Sequence, residues 1–240
     1  MGSLLNLLFE EAYDTNKQML FIIGASGSGK STIIDYLRLH ERFILVNPDH
    51  HFEPLLAANG LSQSEYDSKH KEYRKMVNLR KEFYERGEEP PSHDWPEGYR
   101  ELQSQVRDMD ILKLQLFAQA RKQSFDDAVR LSEEGKSFLI DGTGGSKNEI
   151  LSKARKYKKL EYELGMLFVD VSLQTSIQRN ITRGESGGRR VQLNKLENSW
   201  NAIQRNIPVY KDFFGENFWT VNNDGNEEQL MSQLNKLQLF

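Results

Sequence analysis

The chain has 240 residues, of which 38% are hydrophobic and 28% are charged, and its formal net charge is -3. This length suits one large domain, or one domain with a subdomain. The near-equality of 32 basic and 35 acidic residues excludes a protein that is uniformly basic for nucleic-acid binding. Because the chain contains no cysteine, disulfides, cysteine-bound metals and thiol nucleophiles are excluded as well.

The N-terminal segment, MGSLLNLLFEEAYD, has a short apolar run without the basic region and the cleavage site of a signal peptide. It predicts a short helix over residues 4–12 that lays Leu5, Leu8 and Phe9 on the domain. No stretch reaches the roughly 18 apolar residues that a membrane-spanning helix needs. We therefore expect a soluble, cytoplasmic protein that does not associate with membranes.

Five short apolar runs, rich in Ile, Val and Phe and bounded by turn or polar residues, predict buried β-strands. These runs are residues 18–23, 43–47, 137–141, 166–171 and 218–222. Apolar residues at helical spacing between them predict helices over 31–40, 110–134, 173–183, 191–214 and 227–239. Strands that alternate with helices predict an α/β fold with a five-stranded parallel sheet and helices on both faces. The helix over 110–134 is expected to present Leu112, Leu116, Ala120 and Phe125 on one face.

Residues 53–107 interrupt this alternation, because they are dense in Lys, Arg, Glu and Tyr and contain no strand-like run. Residues 61–87 predict a solvated helix of mixed charge, and the proline-containing segment 87–99 predicts a loop. We interpret 53–107 as a charged insertion into a single domain over 1–240, without a core of its own.

The most specific motif, GxxxxGK[ST], follows the first predicted strand and precedes a helical pattern, which is the context that it requires. Glycines let the backbone wrap so that successive N–H groups point at phosphate oxygens. Lys30 should reach the β- and γ-phosphates, and the Ser31 hydroxyl should ligate Mg²⁺. The motif predicts a nucleoside triphosphate site formed by Gly24, Ala25, Ser26, Gly27, Ser28, Gly29, Lys30, Ser31 and Thr32.

An acidic residue at the end of another predicted strand supports this nucleotide site. The apolar run 138–140 ends in Asp141, and an acid at such a strand end holds Mg²⁺ directly or through water in phosphate-loop proteins. Because many strands end in Asp, this residue indicates a Mg²⁺ ligand only in combination with the phosphate loop. The following Gly142-Thr143-Gly144-Gly145 should form a turn at the same sheet edge, where ligands bind.

Residues 173–191 carry four arginines around a glycine-rich turn. Arg179 and Arg183 are four residues apart, on one helix face, and Gly187 and Gly188 precede Arg189 and Arg190. Arginines stabilise the charge on a transferring phosphoryl group, and glycine hinges allow a segment to close over a nucleotide. We interpret this segment as a kinase lid, the alternative being a solvated basic helix.

The second predicted strand ends in Asn47-Pro48-Asp49-His50-His51. Asp49 could accept a proton from an attacking hydroxyl, as Asp does in kinases, or it could cap the next helix. His50 is a candidate substrate contact; a metal role for the histidines is not favoured, because no third ligand has suitable spacing. After the fifth strand, Asn222 and Asn223 are candidates for contacting adenine.

These residues resemble the zeta-toxin family of small-molecule kinases. The resemblance covers most of the chain outside the insertion and rests on GASGSGKST, FILVNPD, LIDGTG and RNITRG followed by GGR. It implies a phosphate-loop kinase fold in which Asp49 is the general base, Lys30, Arg179, Arg183 and Arg189 contact the phosphates, and Asp141 and Thr143 face substrate or Mg²⁺. It also implies UDP-N-acetylglucosamine as acceptor and a small antitoxin as partner.

The sequence departs from the family pattern at three positions. Phe52 stands where a basic residue is common, Gly145 where an arginine is common, and Asp141 where Glu is usual. Two of these positions contact substrate in the toxins, so kinase activity is better supported than the UDP-sugar acceptor.

We therefore expect an ATP- and Mg²⁺-dependent kinase that phosphorylates a hydroxyl of a small molecule. Two alternatives stay open. One is a polynucleotide 5′-hydroxyl kinase, since the insertion interleaves Lys and Arg with Tyr73 and Tyr84, although its glutamates favour a solvated helix. The other is a non-catalytic assembly or regulatory protein that holds ATP as a structural ligand.

Overall fold

The computed structural model describes residues 16–186 and 191–240. The expected helix over 4–12, the two glycines of the expected lid and Arg189 and Arg190 lie outside the described residues. Contacts within the described chain divide it into two compact units, one of residues 16–47, 125–186 and 191–240 and one of residues 48–124. We call them the sheet unit and the helical unit.

The sheet unit contains five parallel strands in the order β2-β3-β1-β4-β5. β1 pairs with β3 so that Ile22 lies opposite Asp141, and β4 pairs with β5 so that Asp170 lies opposite Asn222. The predicted sheet is confirmed, and the strand that precedes the phosphate loop is central. The strands are β1 (Gln18–Ile23), β2 (Ile44–Val46), β3 (Phe138–Gly142), β4 (Glu163–Asp170) and β5 (Phe218–Asn222).

Eight α-helices lie in the described part of the chain. They are α1 (Lys30–Tyr36), α2 (Pro48–Ala58), α3 (Gln63–Glu85), α4 (Tyr99–Glu133), α5 (Lys147–Lys159), α6 (Leu173–Glu185), α7 (Leu193–Phe214) and α8 (Glu227–Leu234). The predicted helix over 31–40 is interrupted, because Arg38 adopts a φ of 49° between α1 and a short 3₁₀ helix at Leu39–Glu41. The predicted helices over 191–214 and 227–239 correspond to α7 and to a shorter α8.

Alternating side chains of the central strand β1 enter two different hydrophobic clusters. Met19, Phe21 and Ile23 pack with buried residues of α5 and α7, whereas Leu20 and Ile22 pack with residues of α1 and α8. A strand that is buried on both faces reads as a continuous apolar run, which is why the sequence of β1 predicted its bounds correctly.

The helical unit has a small hydrophobic cluster, to which the expected insertion 53–107 contributes two of the five buried members, Leu56 and Leu61. The ring of Phe52 packs edge-on against the ring of Phe117, with centroids 5.2 Å apart. The buried members of this cluster come from both sides of the charged segment, and this separation in sequence hid them. They are Phe52, Leu56, Leu61, Leu116 and Ala120.

The apolar face predicted for residues 110–134 is correct for Leu116 and Ala120 but wrong for Phe125. Phe125 is 48% exposed, because it lies five residues after Ala120 and is rotated away from the buried face. Ser124 and Ala128, at steps of four from Ala120, are buried instead. α4 also begins at Tyr99 rather than at residue 110, since Leu102 and Val106 extend the buried face.

No helix in the described part of the chain is long and apolar enough to span a membrane.

Candidate functional site

The phosphate loop, residues 24–31, leaves the carboxyl end of β1 and enters α1 directly. Gly27 and Gly29 have φ values of 81° and 88°, a conformation that glycine adopts without strain. Gly24 lies so close to neighbouring backbone that an added Cβ would sit 2.6 Å from the Val169 carbonyl oxygen. The three glycines therefore allow a tight loop that a side chain would obstruct.

Lys30 and Asp141, which the sequence assigned to the same site, lie side by side. The Lys30 ammonium donates to the Gly24 carbonyl at 2.9 Å and lies 3.9 Å from Asp141 Oδ1. Asn47 at the end of β2 donates from Nδ2 to Asp141 Oδ2 at 3.0 Å. Three neighbouring strands thus place an ammonium, a carboxylate and an amide at the same edge of the sheet.

The loop has polar atoms suited to a phosphate and a magnesium ion. The Ser28 hydroxyl oxygen is buried and has no hydrogen-bond partner among the described residues, and such groups are rare unless a ligand or water satisfies them. Ser31 and Thr32 are exposed at the start of α1. Hydroxyl and carboxylate oxygens are ligands that Mg²⁺ accepts together with substrate phosphates. Ser31 and Asp141 therefore fit the metal that the motif implies.

Helix α6 brings two arginines to the same loop. Arg183 donates from Nη2 to the Ser26 hydroxyl at 2.8 Å, and Arg179 donates from Nη1 to the Gly27 carbonyl at 3.4 Å. Ser176, one turn earlier, donates to the Ser26 carbonyl at 2.6 Å. The sequence anticipated both arginines, but it did not anticipate Ser176, which attaches α6 to the loop.

The turn after β5 supports the phosphate loop from the other side. Asn223 is buried and donates from Nδ2 to the Ser28 carbonyl at 2.7 Å, and its own carbonyl accepts from Arg179 at 2.9 Å. Asn222 is exposed, and its side chain accepts from the Asp224 backbone N–H. Adenine contacts by these asparagines stay a prediction. The observed contacts show that Asn223 stabilises the phosphate loop.

Asp224 connects this turn to the start of α6. Its carboxylate accepts from the backbone N–H of Ser172 at 2.6 Å and from the Ser172 hydroxyl at 3.1 Å. Burial raises the pKa of Asp224, but hydrogen bonds from Thr175 and Ser172 and the nearby Arg179 outweigh burial and hold the pKa below its usual value. The carboxylate therefore stays charged where α6 begins.

The Gly142–Gly145 turn is fixed by α7. Asn206 donates to the carbonyls of Gly144 and Gly145 at 3.2 and 2.9 Å, and the Tyr210 hydroxyl donates to the Gly144 carbonyl at 2.7 Å. Thr143 is left exposed at the sheet edge. The turn thus lies at the expected edge of the sheet, and α7 holds two of its carbonyls.

Asp49 and His50 belong to the helical unit. Both lie in the first turn of α2, where Asp49 is half-buried and His50 is exposed. α2 already begins at Pro48, so Asp49 is inside the helix rather than its N-cap. Phe52, the position at which the zeta-toxin pattern has a basic residue, is buried in the helical unit's cluster. The roles of Asp49 and His50 toward a nucleotide stay predictions.

Solved structures with similar folds include several kinases. The chain matches the PezAT chromosomal toxin–antitoxin system of Streptococcus pneumoniae with a TM-score of 0.54 and 15% identity, covering 92% of this chain and 75% of that chain. It matches the Pnkp1/Rnl/Hen1 RNA repair complex with a TM-score of 0.49 and 15% identity, over 81% of this chain and 46% of that chain. The match to shikimate kinase from Aquifex aeolicus has a TM-score of 0.41 and 16% identity, and it covers 90% of this chain and 93% of that chain.

A family model described as an AAA domain, AAA_33, matches residues 19–207, which is well over half of the chain. No curated protein sequence matches this chain significantly. The match includes the phosphate loop, Asp141 and both described arginines of α6. The chain therefore belongs to the AAA_33 family, and its sheet unit has a P-loop kinase-like fold.

Proposed function

We propose that the protein is an ATP- and Mg²⁺-dependent kinase that transfers the γ-phosphoryl group to a hydroxyl of a small molecule. The observation that carries this proposal is the convergence of Lys30, Arg179 and Arg183 on one phosphate loop, with Asp141 3.9 Å from the Lys30 ammonium. Three cations at one loop suit the negative charge that spreads over a transferring phosphoryl group.

In this mechanism the backbone of residues 24–31 binds the β-phosphate, and Lys30 bridges to the γ-phosphate. Arg179 and Arg183 neutralise charge on the oxygens of the group in transfer, with Arg189 as a further candidate. Asp49 accepts the proton of the acceptor hydroxyl as its oxygen forms a bond to phosphorus and the bond to ADP breaks. Mg²⁺, held by Ser31 and Asp141, would supply charge neutralisation between the phosphates.

We propose a zeta-toxin-like acceptor, either a UDP-sugar or a nucleoside or nucleotide, with His50, Asp141 and Thr143 as its contacts. The resemblance of the motifs supports this class, whereas the departures at Phe52 and Gly145 weigh against a UDP-sugar. The likeness to the structure of the PezAT toxin–antitoxin system supports a search for a small inhibitory protein partner.

Two other functions deserve a place in the same test. A polynucleotide 5′-hydroxyl kinase would use the same loop and arginines with a nucleic-acid acceptor. A non-catalytic ATP-binding protein would bind the nucleotide without turnover, and the hydrogen bonds from Arg179 to the Gly27 and Asn223 carbonyls would then be purely structural.

The test is an acceptor screen by mass spectrometry with ATP and Mg²⁺. The panel contains UDP-N-acetylglucosamine, nucleosides, nucleoside monophosphates and a 5′-hydroxyl oligonucleotide. Asp49→Asn should abolish transfer while ATP still binds, and Glu53→Gln, on an exposed position of the same helix, should leave transfer intact. Unchanged turnover in Asp49→Asn would remove this residue from the mechanism. ATP binding without hydrolysis or transfer would favour the structural-ligand function.

A further inference from the structure

Helix α5 carries a dense cluster of positive charge that the proposed kinase reaction does not use. Its buried face consists of Leu151, Ala154 and Tyr157, and the opposite side is polar and exposed. We define the basic face as the four exposed cations of the last two turns, which are Arg155, Lys156, Lys158 and Lys159. The formal net charge of the whole chain is -3, so this surface is locally positive on a protein that is slightly negative.

The charges of the basic face are not neutralised by neighbouring acids. Lys153 pairs with Glu149 at 2.8 Å, but no described carboxylate forms an ion pair with any of the four basic-face side chains. An open depression of about 470 Å³ is lined by three of them, Arg155, Lys156 and Lys159, together with Ser152 and Leu160. Repulsion among four adjacent cations is relieved when an anion binds, so this surface favours a ligand with several negative charges.

Aromatic rings border the basic face on both sides. The Lys156 ammonium lies 5.0 Å from the centroid of the Phe125 ring, and Phe125 is 48% exposed. Arg155 and Lys158 lie 5.8 and 5.9 Å from the Phe213 centroid. The exposed Phe125 ring beside these cations is the combination that binds single-stranded nucleic acid, since phosphates pair with the cations and a base stacks on the ring.

The basic face lies away from the phosphate loop. α5 starts after the carboxyl end of β3 and returns to the amino end of β4, so its last turn is at the amino edge of the sheet. Lys17, which directly precedes β1, donates to the Leu160 carbonyl at 3.5 Å. The six residues of β1 separate this edge from the phosphate loop by about 20 Å.

We propose that the basic face of α5, with Phe125 at its border, is a second anion-binding surface that takes single-stranded nucleic acid. It is independent of the proposed kinase activity, because no residue of the phosphate loop contributes to it. The alternative occupant is an acidic segment of a protein, which would use the same cations but would not need the exposed ring.

The test measures fluorescence anisotropy of a labelled 5′-phosphorylated oligothymidylate with the full chain. Four phosphate contacts predict that affinity falls about 50-fold between 50 and 200 mM salt, on the slope of about -0.7 per contact for single strands. Lys156→Gln/Lys159→Gln should bind more weakly and lose only about 7-fold over the same range. Lys195→Gln/Lys236→Gln, at exposed positions outside the insertion and the basic face, changes the net charge equally and should bind like the unmodified protein.

Phe125→Ala distinguishes stacking from charge. It should weaken binding at least about fivefold without changing the salt dependence, and circular dichroism should show an intact fold because Phe125 is half-exposed. Excess ATP should leave the oligonucleotide bound. The proposal is overturned by no saturable binding at low salt, by an equal loss in Lys195→Gln/Lys236→Gln, by displacement with ATP, or by full affinity in Phe125→Ala. Polyglutamate displacing the oligonucleotide at equal charge concentration would instead assign the surface to an acidic protein.

Discussion

Lys30 is the residue whose chemistry the local geometry defines most sharply. Its ammonium is 2.9 Å from the Gly24 carbonyl and 3.9 Å from Asp141, within the curve of a loop that presents N–H groups. We expect Lys30→Ala to lower the slow hydrolysis of ATP without acceptor by at least about 100-fold, the cost of removing one donor to developing charge. Phosphate release measures this, with Lys236→Ala as an exposed control; hydrolysis at the normal rate would contradict the assignment.

Asn223 is expected to act through the loop rather than on the nucleotide itself. Its side chain is buried and holds the Ser28 carbonyl, so Asn223→Ala should cost about 1 kcal/mol of unfolding free energy and weaken binding of an ATP analogue. Asn222→Ala removes an exposed amide from the neighbouring position and should do much less. Equal effects in calorimetric binding measurements would show that both side chains contact the nucleotide.

Some residues of the candidate site could be predicted from the sequence, and others could not. Lys30 and Ser31 were predictable, because the motif holds them at fixed spacing around glycines with special backbone geometry. Asn223 and Ser176 support the same loop from 195 and 150 residues away. Because these two residues reach the loop only in the folded chain, no local sequence pattern predicts their contacts with it.

At the scale of elements, α7 is both a core helix and a support for the site. The Tyr210 hydroxyl donates to the Gly144 carbonyl. Burial raises the pKa of Tyr210 to about 12, and a hydrogen bond from the Asn206 amide offsets part of the rise. The folded state therefore keeps the phenol protonated at pH values where the unfolded chain, with a tyrosine pKa near 10, releases its proton.

The stability that Tyr210 contributes should therefore be fully present below about pH 10 and be lost as the pH rises from about 10 to about 12. Tyr210→Phe should cost about 1 kcal/mol near neutral pH through the lost hydrogen bond, but it should lose less stability than the unmodified protein as the pH rises. Urea unfolding at a series of pH values measures both effects. Parallel losses in the two proteins would mean that other groups, such as Tyr162, whose pKa burial also raises to about 12, dominate the alkaline transition.

Elements were predictable where one pattern dominated. β1 and β5 have the bounds that their apolar runs indicated. α5 was missed, although Leu151, Ala154 and Tyr157 recur at helical spacing, because the Lys and Arg residues between them masked this narrow stripe. α2 was missed as well, although Pro48 at the first helical position and Asp49 in the first turn are favourable starting residues.

At the scale of the whole molecule, the two units have unequal cores. The sheet unit is built on strands covered on both faces by large clusters. The helical unit buries five side chains together, and its charged helix α3 has no buried residue. Regions with few buried apolar contacts open at lower free energy than the core of a sheet. The helical unit should therefore exchange its amide hydrogens faster than β1 and β4.

Phe52→Ala makes this difference measurable. It removes a buried ring from the centre of the helical unit's cluster, where the loss should cost about 3–5 kcal/mol. Hydrogen exchange followed by mass spectrometry should show lost protection in α2 and α3 with little change in β1 and β4. Phe138→Ala, which removes a fully buried ring from the sheet unit, is the matched control and should deprotect the strands. If Phe52→Ala deprotects the strands to the same extent, the two units unfold as one cooperative body, because a local cavity then lowers the free energy of a single global transition.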